Sequence, residues 1–133
     1  KSLKDDGVFF LDAYGGYDAF KEIEEEREVE GDEYNFTYTW EQEKFDPITN
    51  ELQCSIHFDF EDGSSIPQAF QYEWRLWTLP EIKQLLTDAG FRKVTFYWQG
   101  FDKDGDGDGD FKPVKAGEVD ADAGWICYIT AEK

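Results

Sequence analysis

The sequence has no methionine, a single histidine and only two cysteines. One histidine, His57, cannot supply several imidazole ligands, which excludes a multi-histidine metal centre within this chain. Cys54 and Cys127 lie far apart and do not form a Cys-x-x-Cys pair, so we expect two reduced, buried thiols. No apolar run approaches the roughly 20 residues needed to cross a bilayer. A membrane-spanning segment is therefore not expected.

Positive charge is also scarce. Lys and Arg total 13 against 31 Asp and Glu, and the formal net charge is −18. A nucleic-acid backbone or an anionic membrane would be repelled by such a surface. We therefore expect a cytoplasmic protein that takes a small-molecule substrate and binds neither nucleic acid nor membrane.

The missing methionine bears on the extent of the chain, because the sequence opens with Lys1. An initiating methionine is normally trimmed only before a small residue, so we expect a piece of a longer protein with further sequence upstream. Its 133 residues, 40% of them hydrophobic, can still bury one core. We treat residues 1–133 as a single domain or domain fragment.

The most informative stretch runs from residue 70 to residue 91. Residues 70–76 alternate between aromatic or aliphatic and polar side chains, which predicts a half-buried strand. Thr78 and Glu81 fit a helix capping box, Pro80 fits the first turn, and Gly90 fits the position just past the last turn. The pattern predicts a strand followed by an amphipathic helix over 78–90.

Other segments complete the predicted layout. The uninterrupted apolar run Val8–Leu11 predicts a strand covered on both faces. The acidic run Glu24–Glu26 is expected on the solvated side of a helix. The predicted order is a strand and turn at 1–16, a helix at 17–30, an antiparallel meander at 34–77, the helix at 78–90, and a terminal hairpin at 93–131 with an acidic loop at 102–124.

The meander is predicted to have one aromatic and aliphatic face and one polar face. The residues expected on the polar face are Gln53, Ser55, His57, Asp59, Gln71, Glu73 and Arg75.

Residues 72–91 resemble a family motif. The stretch reads Tyr-Glu-Trp-Arg-Leu-Trp-Thr-Leu-Pro-Glu-Ile, followed by Leu85-Leu86 and Ala89-Gly90-Phe91. It resembles the C-terminal half of class I S-adenosylmethionine-dependent methyltransferases. Those proteins often read R-x-[WY]-[ST]-x-x-E-[LI]-x-x-L-L-x-x-A-G-F before their last two strands. Residues 3–12 resemble the family's fifth strand in part, with Asp5-Asp6 where Pro-Gly is usual.

The resemblance implies an α/β fold class, or α+β for an isolated fragment. The chain would be the C-terminal part of a Rossmann-like methyltransferase sheet, with an inserted antiparallel meander and a final antiparallel hairpin. The strands Val8–Leu11, Trp125–Ala131 and Lys93–Trp98 would then lie side by side in that order.

The resemblance also implies a function. The chain would be the substrate-side portion of a methyltransferase acting on a small molecule. The family's cofactor motifs would lie upstream of Lys1, so no residue here is expected to bind S-adenosylmethionine. That compound would be the cofactor of the full-length protein, and this chain would be inactive by itself.

The alternative is a stand-alone α+β ligand-binding or interaction module without catalytic activity. A complete module should protect its strand edges. A fragment should leave Val8–Leu11 as an unpaired, apolar edge and tend to form a homodimer.

His57 and Arg75 are candidates for chemistry on the polar face. His57 could act as a general base or be a surface residue. Arg75 could clamp a substrate carboxylate or pair with a neighbour such as Glu73 or Asp59.

The other candidates surround an expected substrate pocket. Asp12 and Tyr14 follow the first strand at its carboxyl end, where ligands of open α/β sheets bind. The adjoining Gly15-Gly16 could equally be a tight turn. Alternating aromatics are more often core residues than pocket residues, which is the alternative for Tyr14, Tyr72, Trp74 and Trp77. The predicted substrate-binding set is Asp12, Tyr14, Tyr72, Trp74, Arg75 and Trp77.

One acidic loop resembles the start of a calcium-binding loop. Asp102, Asp104 and Asp106 precede Gly107 in the pattern D-x-D-x-D-G. The twelfth position is Pro113, where an EF-hand needs a bidentate Glu. A solvated loop is the alternative, and we assign no metal site to the chain.

Overall fold

The computed structural model describes residues 3–31, 34–103 and 107–133. The structure is mostly β, with 58% of the described residues in strands and 11% in helix. A 3₁₀ turn occupies Tyr17–Phe20. The strands and the helix are β1 (Val8–Gly15), β2 (Ile23–Glu30), β3 (Asn35–Phe45), β4 (Glu51–Phe60), β5 (Ser65–Arg75), α1 (Leu79–Asp88), β6 (Lys93–Phe101), β7 (Gly107–Val114) and β8 (Trp125–Glu132).

The chain folds into two compact units. One comprises Lys1–Tyr17 and Trp77–Lys133, and the other comprises Asp18–Leu76. The first unit holds a four-stranded sheet in the order β1-β8-β6-β7, and the second holds one in the order β2-β3-β4-β5. Every pairing of neighbouring strands in both sheets is antiparallel.

The prediction of a Rossmann-like α/β fold was wrong. Such a sheet is mostly parallel and has helices on both faces, whereas both sheets here are antiparallel and α1 is the one α-helix among the described residues. The order β1-β8-β6 within the first sheet is nevertheless the expected one. β8 pairs with both neighbours in the antiparallel sense, so β1 and β6 run parallel to each other on either side of it.

The helix α1 begins and ends at the predicted signals. The Glu81 backbone N–H donates to the Thr78 hydroxyl at 3.4 Å, and the Thr78 N–H donates to the Glu81 carboxylate at 2.9 Å. This reciprocal pair satisfies two N–H groups that the helix itself cannot. At the other end Gly90 has φ +98°, and the Phe91 N–H donates to the Leu86 carbonyl at 3.1 Å. The capping box and the glycine stop are both confirmed.

The core of the first unit lies between α1 and one face of its sheet. Ile82 and Leu86 of α1 are buried against three residues of the central strand β8. These residues are Cys127, Ile129 and Ala131, each 0% exposed. Their spacing of two places them on one face of β8.

Strand β1 is an edge of this sheet. It pairs with β8 along one side, and no described strand pairs with its other side. Val8, Phe9 and Phe10 are 53%, 42% and 59% exposed. The prediction that Val8–Leu11 is covered on both faces was therefore wrong. An apolar run alone does not distinguish a buried central strand from an exposed edge.

The sheet of the second unit contains the predicted meander. Strands β3, β4 and β5 are consecutive antiparallel neighbours. Their register brings the aromatic residues onto one face, where ring centroids of neighbouring side chains lie 4.7–6.4 Å apart. The rings in this ladder are Phe36, Tyr38, Trp40, Phe58, Phe60, Phe70, Tyr72 and Trp74.

The predicted helix over 17–30 was wrong. Residues 17–20 form the 3₁₀ turn, and residues 23–30 form β2, an edge strand paired with β3. The turn is tied to β3 by Gln42, which is 1% exposed and donates from Nε2 to the carbonyls of Asp18 and Lys21 at 2.9 and 2.7 Å. Pairing with β3 outweighs the helix propensity of a Glu-rich segment.

The acidic segment 102–124 was predicted as a loop and contains a strand. Residues 107–114 form β7, paired with β6. A Cβ at Gly107 would lie 2.2 Å from Gln99 Nε2, so a larger residue there would have to displace the end of that flexible side chain. This glycine-rich segment is thus extended strand where it is described.

Candidate functional site

The polar face of the second unit's sheet carries the candidate site. Because side chains alternate along a strand, the register places the residues opposite the aromatic ladder on this face. All seven predicted polar-face residues belong to it, which confirms that prediction. Two bulges interrupt the ladder of hydrogen bonds, one between Gln42 and Lys44 of β3 and one in β5 opposite His57.

His57 is held from both sides. The backbone N–H of Gln68 donates to Nδ1 at 3.0 Å, and Nε2 lies 2.9 Å from Glu41 Oε2. Nδ1 is therefore an acceptor, so the ring proton resides on Nε2 and is donated to Glu41. The imidazole is neutral in this arrangement and its lone pair is already used. A general base needs a free lone pair within reach of substrate, so the geometry favours a structural role for His57.

The two bulges meet beside this histidine. Gln68 has φ +48°, a left-handed conformation that is uncommon for a residue with a side chain. Its Nε2 donates to Glu43 Oε1 at 3.4 Å. Glu43, the extra residue of the β3 bulge, also accepts a short hydrogen bond from the hydroxyl of Ser55, which is 0% exposed. Bulges commonly re-aim side chains in this way.

The predicted substrate-binding residues are divided between the two units and between faces. Tyr72 and Trp74 of β5 have ring centroids 4.7 Å apart in the aromatic ladder. Arg75 lies on the opposite, polar face of the same strand. Tyr72 and Trp74 therefore do not line one pocket together with Arg75.

Asp12, Tyr14 and Trp77 belong to the other unit. Asp12 and Tyr14 lie on the face of β1 that is turned away from the core beneath α1. Trp77 is 41% exposed just before α1. Gly15 is a strand residue, so the tight turn does not include it.

The calcium candidate falls mainly outside the described residues. Asp104 and Asp106 are not described, and Asp102 is exposed. Among residues 3–31, 34–103 and 107–133, no group of three or more His, Cys, Asp or Glu side chains could hold a metal ion.

Both cysteines are buried, free thiols, which confirms that prediction. Burial, with Glu43 as a smaller cause, raises the pKa of Cys54 to about 12. Burial raises the pKa of Cys127 to about 11. Neither thiol is suited to act as a nucleophile, since the thiolate is the reactive form.

A pocket on the polar face was missed by the sequence analysis. Its volume is about 200 Å³, and all four strands of the sheet contribute to it. The lining residues are Glu24, Glu26, Thr39, Glu41, His57, Asp59, Ser65 and Pro67. The acidic residues of β2 had been assigned to a helix. The signal that could have found them is the regular alternation of glutamates at 24, 26, 28 and 30.

Comparison with family models, curated proteins and solved structures finds no match to this chain. The resemblance to methyltransferases thus rests on the residues of the chain alone. In the part of the chain that the structure describes, no helix has the length and apolar character to span a membrane.

Proposed function

We propose that this chain is the substrate-side portion of an S-adenosylmethionine-dependent methyltransferase acting on a small molecule. The single observation that carries the proposal is the open edge of β1. Val8, Phe9 and Phe10 are each at least two-fifths exposed, on a strand that no described strand pairs with on its outer side. A sheet that continues beyond β1 accounts for this edge, whereas a complete module is expected to protect it.

The other edges of the two described sheets support this interpretation by contrast. β2 carries a charge at six of its eight positions, in the sequence Ile-Glu-Glu-Glu-Arg-Glu-Val-Glu. β5 carries Pro67 and the bulge at Gln68, and β7 carries Asp108, Asp110, Lys112 and Pro113. Charges, prolines and bulges are the usual means of blocking edge-to-edge pairing. β1 has one charged residue, Asp12, and none of the other devices.

The sequence motif and the strand order give further support. The residues 72–91 that resemble the family motif form a strand end and a capped helix, and β6 follows them. Strand β8 lies antiparallel between β1 and β6, in the order that the resemblance implied.

The described residues do not fit the cofactor. S-adenosylmethionine would need a glycine-rich turn that lets the backbone approach it. The described glycines at 107 and 109 belong to β7, and Gly107 is packed against the side chain of Gln99. Cofactor binding is therefore assigned to residues outside this chain.

What this chain would contribute is positioning. Methyl transfer can be accelerated largely by holding the acceptor in line, without a conspicuous acid or base. Tyr72 and Trp74 offer an aromatic surface on one face of β5, and Arg75 offers a cation on the opposite, polar face. His57 is not given the role of base, because its Nδ1 already accepts a hydrogen bond from the Gln68 N–H.

Calorimetric titration with S-adenosylmethionine tests the proposal. It should be performed on these 133 residues and on the product of the complete reading frame that encodes them. We expect micromolar binding to the complete product and none to the 133 residues. Absence of binding to the complete product would refute the proposal. Micromolar binding to the 133 residues would overturn the assignment of the cofactor site to other residues.

A stand-alone ligand-binding module is the second candidate function. One observation favours it: the pocket on the polar face lies wholly within the unit Asp18–Leu76. Such a module would need no other part of a protein to bind its ligand. It predicts that the unit binds a small molecule and that no gene product containing it binds S-adenosylmethionine.

A further inference from the structure

The pocket on the polar face is strongly acidic. Four carboxylates line it, from Glu24 and Glu26 of β2, Glu41 of β3 and Asp59 of β4. No lysine or arginine is among its lining residues. The pocket therefore concentrates negative charge within a space of about 200 Å³.

The strand register brings two of these carboxylates directly opposite each other. Glu24 pairs with Glu41 across β2 and β3, and Glu26 pairs with Thr39 one step along the same face. Like charges directly opposite on a sheet are destabilising. Within the described residues, no lysine or arginine forms a salt bridge with Glu24 or Glu26. Among the described side chains, therefore, no lysine or arginine offsets this repulsion through an ion pair.

The histidine in the pocket does not supply that counter-charge. Its Nδ1 accepts the Gln68 N–H, so the ring is neutral and only its Nε2–H faces Glu41. The side chains of His57 and Glu41 are 20% and 35% exposed, so this contact forms a partly desolvated wall of the pocket.

Thr39 provides an independent observation. It is 6% exposed and lines the pocket. No hydrogen-bond partner for its side chain occurs among the described residues of the chain. No fully buried side-chain nitrogen or oxygen of the described residues lacks a partner, so the Thr39 hydroxyl must open into the pocket, where it can accept from a donor that enters.

The geometry of the site does not suit a single metal ion. No three of the described carboxylate, imidazole or thiol groups converge closely enough to hold a metal. The volume of about 200 Å³ leaves room for a ligand larger than one water or ion. The site suits a larger ligand with several separated donors.

We propose that this pocket binds an extended organic cation, an aliphatic diamine or polyamine. Its ammonium groups donate to the carboxylates of Glu24, Glu41 and Asp59, and one also donates to the Thr39 hydroxyl. Charge-assisted N–H···O bonds of this kind are stronger than neutral ones. The proposal concerns the unit Asp18–Leu76 and stands independently of methyl transfer.

A titration observed by ¹H–¹⁵N NMR tests this site on the whole chain, with 1,4-diaminobutane and spermidine as probes and butylamine, Mg²⁺ and Ca²⁺ for comparison. The titrations should be run at 0.15 M salt, where the Debye length is about 8 Å and long-range attraction to the acidic surface is screened. We expect saturable shifts in the amides of 24–26, 39–41 and 57–59, and tighter binding of spermidine than of butylamine. Tighter binding of either metal ion at these amides would overturn the proposal, as would the absence of saturation.

Adjacent glutamates on β2 provide a matched pair of variants. Glu24→Gln removes a pocket carboxylate, whereas Glu25→Gln makes the same charge change on the opposite face. We expect Glu24→Gln to weaken spermidine binding about tenfold and Glu25→Gln to leave it within about twofold. If both variants weakened spermidine binding equally, the ligand would be attracted by the negative charge of the whole surface and not by this pocket, which would overturn the proposal.

A third variant removes the hydroxyl without changing any charge. Thr39→Val should weaken spermidine binding about three- to tenfold, as expected for one lost hydrogen bond. Unchanged affinity in a variant whose NMR spectrum shows the native fold would remove Thr39 from the site and overturn the arrangement proposed here.

Discussion

Gly15 is required because the ring of Trp125 occupies the space beside it. A Cβ built at Gly15 would lie 2.3 Å from Cζ2 and 2.5 Å from Cη2 of that ring. Carbon atoms in contact prefer a separation of about 3.5–4.0 Å, so Gly15→Ala would force the ring to withdraw by more than 1 Å, roughly. Displacing the ring would cost free energy, because its centroid already lies 5.1 Å from that of Trp98.

Overpacking of this kind typically costs about 1–3 kcal/mol. Gly124→Ala is the matched control, because a Cβ there meets no heavy atom within 4 Å. Both variants reduce the freedom of the unfolded chain equally, which by itself stabilises by about 0.4–1 kcal/mol. The difference between them therefore isolates the clash.

Urea unfolding followed by far-ultraviolet circular dichroism measures the free energy of unfolding of each variant. We expect Gly15→Ala to be less stable than Gly124→Ala by about 1–3 kcal/mol. In a Trp125→Leu background the difference should shrink, because the ring that causes the clash is gone. Equal stabilities of the two alanine variants would refute the packing of Trp125 against β1.

Three further predictions concern the helix and the thiols. Thr78→Ala should destabilise the protein by about 1 kcal/mol in urea unfolding, through loss of the capping box; an unchanged midpoint would contradict the cap. Leu86→Ala, at a residue 8% exposed, should cost about 2–4 kcal/mol, and Leu85→Ala, at a residue 53% exposed, less than about 1; equal costs would contradict the orientation of α1. Because burial raises the pKa of both thiols, the folded state keeps two protons that the unfolded state releases above about pH 9. The free energy of unfolding should therefore fall as pH rises from 9 towards 11. A Cys54→Ala, Cys127→Ala double variant should lose less stability over this range, and rapid labelling of the native thiols at pH 8 would contradict their burial.

Much of the second unit could be predicted from local pattern. The alternation along 34–76 predicted the strands and their faces, because one face is aromatic and a slip of one residue would expose it. The caps of α1 could also be predicted, because Thr78, Glu81 and Gly90 act on backbone groups a few residues away.

The errors arose where distant partners decide the conformation. Residues 23–30 are rich in glutamate, a good helix former, yet they form β2 because β3 offers an edge to pair with. The fold class was wrong because a local motif does not reveal what covers each face of a sheet.

The candidate site was predicted in part. His57 was assigned to the correct face, but its two partners were not foreseeable. One is the Gln68 backbone, aimed by a bulge with φ +48°, and the other is Glu41 on a neighbouring strand. The acidic pocket depends on the register between β2 and β3, which no spacing within β2 alone could reveal.

Transfer of a labelled methyl group tests the central claim most directly. The complete gene product would be incubated with S-adenosylmethionine labelled in its methyl group and a pool of small-molecule acceptors, and the products would be separated by mass. We predict that label appears in a small molecule, and that these 133 residues alone transfer none. Absence of transfer by the complete product, together with absence of S-adenosylmethionine binding, would contradict the account and leave the acidic pocket as the functional site of a binding module.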